Sequence, residues 1–102
     1  MENKYYTLKV HLDRLQDHIN DSWTSYEEAK NFKDMGETEE MKDSLDCAKH
    51  RIDLADKEVK SIDNLTDKYE IDTKENAFVD SLYGGVLHRL EMLKEKVNKM
   101  KM

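Results

Sequence analysis

The chain has 102 residues, enough for one domain with one modest core. Charged residues make up 39% and apolar ones 37%, and a net charge of −6 speaks against a duplex-DNA binder, which needs a basic face. One cysteine, Cys47, excludes an internal disulfide and any multi-cysteine zinc site, and no run approaches the roughly 18 apolar residues of a membrane span.

The 17 basic residues are interspersed with the 23 acidic ones, which argues against a DNA-mimicking acidic surface. Partners, if charged, are expected to be basic proteins, with no nucleic acid and no membrane among them. The start, "MENKYYTLKVHLDRL", has no apolar core of the kind a signal peptide needs, so a cytoplasmic location is expected. Proline is absent and glycine occurs three times, which leaves hairpins and tight turns poorly supplied. The expected class is all-α: an antiparallel bundle of three long helices with coiled-coil-like packing, in one domain over 1–102.

The first helix is predicted over 4–34. Tyr5, Leu8, Leu12, Leu15, Ile19, Trp23 and Tyr26 form one stripe along it, at the spacing of a buried face. Trp23 with Tyr26 could cap a ligand pocket, but at this spacing the two rings read as packing. Phe32 stands on a flank, in line with Ser25, His18 and His11. "DMGETEEM" then breaks the chain. Gly36 suits a left-handed position after a helix end, Thr38 an N-cap, and Glu39 and Glu40 the first turn of the next helix.

The second helix is predicted over 38–70. Met41, Leu45, Ala48, Ile52, Ala55, Val59, Ile62, Thr66 and Tyr69 alternate steps of four and three, a heptad seam in which Thr66 alone is polar. Ala48 and Ala55 are small enough to let a neighbouring helix come close. Cys47, Leu54 and Leu65 form a second apolar strip about 120–140° from the Ala48/Ile52 direction, bordered by Tyr69 and Ile62. Three helices joined by short turns use one stripe each, so this strip asks for a further cover from a second copy or another protein. With Phe32 it is the candidate interface.

"YEIDTKEN" supplies Asp72 and Glu75 as a capping box for a third helix over 73–101. Its stripe is Val79, Leu82, Val86, Leu90, Leu93, Val97 and Met100. Gly84 and Gly85 sit inside this helix but away from its stripe, at roughly 1 kcal/mol each relative to alanine. They mark either a weak point in the helix or a place where another chain's backbone comes close, and so join the candidate interface.

Three of the four histidines have an acid three residues on: His18–Asp21, His50–Asp53 and His88–Glu91. Folding the chain at its two turns, near 36 and near 72, sets position 18 level with 54 and position 88 level with 56. Histidines and carboxylates from different helices at one height are how bundles hold metals. Against this, the stripes put the pairs on flanks and outer faces, so solvated surface is the favoured reading. His11 and His18 are two turns apart, roughly 10 Å, too far to chelate one ion together. No phosphate loop, nucleophile elbow or H-E-x-x-H motif is present, and Cys47 reads as an inert thiol.

"SWTSYEEAKNFKD" followed by "SLDCAKHRIDLADKEVKSI" resembles the first two helices of small ferritin-like, rubrerythrin-type proteins. Those carry a second-helix motif D-E-x-x-H-A. Aligned on Ala55, the motif's Glu falls on Arg51 and its His on Leu54, so both ligands are missing. In helix three "LYGGVLH" offers glycines and Val86 where a further E-x-x-H would be sought. The resemblance implies a metal-free relative. Two functions stand open: a non-enzymatic acidic helical adaptor, assembly factor or inhibitor of the compact kind phages and mobile elements encode, without a cofactor and working as a homodimer or on a protein partner; or a ferritin-like metal binder.

Overall fold

A computed structural model describes the backbone of residues 4–68 and 77–100, and the side chains of 6–68 and 83–100. The described residues form three helices and no strand: α1 (Lys4–Asp34), α2 (Thr38–Lys68) and α3 (Ala77–Lys99). The molecule is a rod of 55 × 20 × 15 Å with a radius of gyration of 16.0 Å, where a round domain of this length would have about 13 Å. Its length is that of the two 31-residue helices.

The turn after α1 follows from Gly36, whose φ of +75° a side chain would resist. Gly36 N–H donates to the Lys33 carbonyl at 3.1 Å and Glu37 N–H to the Phe32 carbonyl at 2.9 Å. That pair of bonds closes the helix end in a Schellman turn. The sequence pointed to Thr38 as the cap of α2. Instead Glu37 holds that position, its carbonyl accepting from Met41 N–H at 3.0 Å, and Thr38 begins the helix. The capping box at Asp72 and Glu75 lies outside the described residues, as do the side chains of Tyr5, Val79 and Leu82. α3 ends at Lys99, so Met100, expected inside it, follows the last helical residue.

The core is one continuous cluster. Leu8, Leu12, Leu15 and Ile19 come from α1; Met41, Leu45, Ala48, Ile52, Ala55 and Ile62 from α2; Val86, Leu90, Leu93, Val97 and Met100 complete it. Three expected members, Trp23 and Tyr26 of α1 and Val59 of α2, are only partly buried. After Ile19 the buried positions of α1 are Ser22 and Ala29, both with no exposed surface, while Trp23 and Tyr26 are half-buried at the edge of the core.

The cause in α1 is its packing on α2, the most extensive of the three helix pairings. Ala48 and Ala55 face α1 and Ala29 faces α2, all fully buried, so little side-chain volume separates the helices. An indole does not fit there, and Ser22 does. Its Oγ donates to the Ala48 carbonyl at 2.8 Å, which satisfies a hydroxyl that would otherwise be buried without a partner. Trp23 turns to the α3 side, edge-on to Tyr26 with centroids 6.2 Å apart. α3 meets the hairpin through Leu and Val, and stands further off.

Candidate interaction surface

The polar contacts of α2 define its two sides. Toward α1, Arg51 reaches Asp21 at 3.6 Å and Glu58 reaches His11 Nδ1 at 2.8 Å. Toward α3, Asp56 meets Lys94 at 2.7 Å and Asp63 accepts from the Tyr83 hydroxyl at 3.1 Å. At about 100° per residue, Cys47, Leu54 and Leu65 fall beyond the α1 contact, on the side turned away from α3. Leu54 and Leu65 are half-buried there and Cys47 is exposed.

α1 shows the same division. Asn20 accepts from Arg89 at 2.8 Å, and Lys96 lies over the Trp23 ring at 5.9 Å, so these residues look toward α3. His18, Ser25 and Phe32 fall on the opposite flank. The antiparallel pairing fixed by Ser22–Ala48, His11–Glu58 and Asp21–Arg51 brings His18 level with the stretch from Arg51 to Leu54, and Ser25 level with that from Ser44 to Cys47. The open side of the hairpin therefore carries leucines on α2 and small or polar groups on α1. Phe32, expected on this flank, is half-buried against the core. Tyr69 lies outside the described residues. Gly84 and Gly85 are exposed on α3, and a Cβ at either would meet nothing within 4 Å. Nothing among the described residues requires glycine at these two positions.

The histidine–acid pairs go separate ways. Asp21 serves Arg51, and Glu91 lies 3.8 Å from Lys94. His50, Asp53 and His88 are exposed. His18 is half-buried, with Nδ1 shut off from solvent and making no hydrogen bond among the described residues. The heights also shift. Lys94–Asp56 and Tyr83–Asp63 set position 88 level with the stretch from Glu58 to Ile62, beyond the expected level of 56. Among the described residues, no three His, Cys, Asp or Glu side chains come close enough to hold one metal ion. At the two positions where the ferritin-like motif would carry its ligands stand the ion-paired Arg51 and the half-buried Leu54.

Two contacts escaped the sequence. Ser22–Ala48 was signalled by the strict heptad, since steps of three and four from Ile19 reach Ser22, Tyr26 and Ala29; the weight given to Trp23 as an apolar residue hid it. His11–Glu58 joins two partly buried groups whose heights the fold at Gly36 brings together.

The fold and this surface define an all-α bundle of three helices in which one side of the α1–α2 hairpin is left uncovered by α3. No family model, curated protein or solved structure matches the chain. Among the described residues, no helix is long and apolar enough to cross a membrane.

Proposed function

We propose that this protein is non-enzymatic and acts through protein–protein contact, as an adaptor, assembly factor or inhibitor, using the open side of the α1–α2 hairpin. The supporting observation is the position of Leu54 and Leu65: half-buried, outside the core cluster, on the side that α3 leaves uncovered. Burying the remaining exposed part of each leucine favours association by about 0.5–1.5 kcal/mol before ordering costs. A two-fold dimer uses the strip twice, once from each copy.

The test is sedimentation of the wild type beside Leu54→Glu/Leu65→Glu. A dimer that the double variant converts to a folded monomer supports the proposal. A wild type that stays monomeric at high concentration excludes the homodimer and leaves a foreign partner. Loss of helicity in the double variant would show that these leucines hold the bundle together, and the assigned contact face would be wrong.

A further inference from the structure

A different surface lies on the far side of α1, where its last turns run beside those of α3. The two helices leave an open cleft of about 430 Å³ there. Tyr26, half-buried, and Met100, nearly buried, line it together with Lys30 and Lys33 from α1 and Lys96 and Lys99 from α3. Asp34 is the acid among the lining residues. Lys99 is held by Glu95 at 2.8 Å and Lys96 rests over Trp23. Among the described residues, Lys30 and Lys33 have no ion-pair partner, although the chain as a whole carries a net charge of −6.

Some of this charge has an internal cause. α1 and α3 are parallel and both end here, and lysines in a last turn complement the helix dipole. Two helix ends together amount to about one negative charge, so even with Asp34 and Glu95 the four ammonium groups leave the cleft cationic. Its shape limits what would fit. The trough is open to solvent, and a small anion would meet exposed, screened lysines one at a time, which gains little. A helix laid along it would meet two rails, each with lysines one turn apart, and could seat apolar side chains on Tyr26 and Met100.

We infer that this cleft binds an acidic amphipathic helix of a partner protein, with its apolar edge on Tyr26 and Met100 and carboxylates on the flanking turns directed to Lys30, Lys33, Lys96 and Lys99. The site is independent of the leucine strip, so Leu54→Glu/Leu65→Glu should still bind such a helix.

The experiment uses the full chain and a synthetic helical peptide with leucines at i, i+3 and i+4 flanked by glutamates. The same peptide with lysine for glutamate, and tripolyphosphate, serve as comparisons. Binding is read from the fluorescence of Trp23, the chain's one tryptophan, and from carbodiimide coupling of peptide carboxylates to protein lysines, located by mass spectrometry. The acidic peptide should bind, weaken with salt, couple at the four cleft lysines, and lose about tenfold in affinity in Lys30→Gln/Lys33→Gln/Lys96→Gln. Lys57→Gln/Lys60→Gln, exposed on α2, should bind as the wild type does. Absence of binding, equal loss in both variants, or coupling spread over other lysines would overturn the proposal. So would tripolyphosphate that binds as tightly and displaces the peptide, since the cleft would then be a small-anion site. If the triple variant is unfolded, the coupling pattern on the wild type decides.

Discussion

Ala48→Leu probes the contact on which the architecture depends. Ala48 has no exposed surface and lies in the α1–α2 contact, with its carbonyl accepting from Ser22 at 2.8 Å. A leucine there must either strain its own rotamer or force the helices apart, at about 1–3 kcal/mol. Separation also breaks the Ser22 bond. The hydroxyl can turn back to a carbonyl in its own helix, so this loss adds only about 1 kcal/mol. The expected total is about 2–4 kcal/mol, or a fall in Tm of roughly 10–20 °C for a domain of this size. Ser22→Ala alone should cost about 1 kcal/mol, because the Ala48 carbonyl keeps its in-helix bond. If Ala48→Leu already breaks the Ser22 contact, the two costs will not add, and the double variant should fall short of their sum by about 1 kcal/mol. Urea and thermal unfolding followed by circular dichroism give all three values. A neutral Ala48→Leu would refute the close approach. Strict additivity would show that the hydrogen bond does not depend on it.

Gly36→Ala should destabilise by about 1–2 kcal/mol, because the left-handed backbone at this residue is costly for alanine; urea midpoints would show it. Gly84→Ala and Gly85→Ala should each stabilise by about 0.5–1 kcal/mol, since a Cβ there meets nothing; a loss in Tm would mean that these positions are packed in the working protein. Burial first, and then the neighbouring Asp63 carboxylate, pushes the Tyr83 hydroxyl well above its ordinary range. A raised folded-state pKa stabilises fully below the unfolded value, near 10, and that contribution drains away as pH rises beyond it. Wild type should therefore lose stability relative to Tyr83→Phe above about pH 10, and parallel pH–stability curves would contradict this. Replacing the exposed His50 and His88 together by glutamine should leave Tm unchanged with or without a chelator, whereas a chelator effect confined to the wild type would point to a bound metal.

The sequence by itself determined the helices and most of their buried faces. Without proline, and with apolar residues recurring at steps of three and four, the chain has no better way to bury Leu8, Leu12, Leu15, Ile52, Leu90 and Leu93 than on helical stripes, and Gly36 marks where it reverses. Periodicity fixes the direction of a side chain around its own axis. It does not fix what stands opposite or at what height. Ser22 and Trp23 are neighbours on the rim of one stripe, and hydrophobicity favours the indole. Tertiary structure reversed that order because Ala48 and Ala55 draw the α1 backbone too close for a large ring. The heights of His18, His50 and His88 depend on how the two turns set the register of the helices, and so does the pairing of His11 with Glu58. A shift of about one helical turn, some 5 Å, is enough to separate groups that must lie within bonding distance to act together.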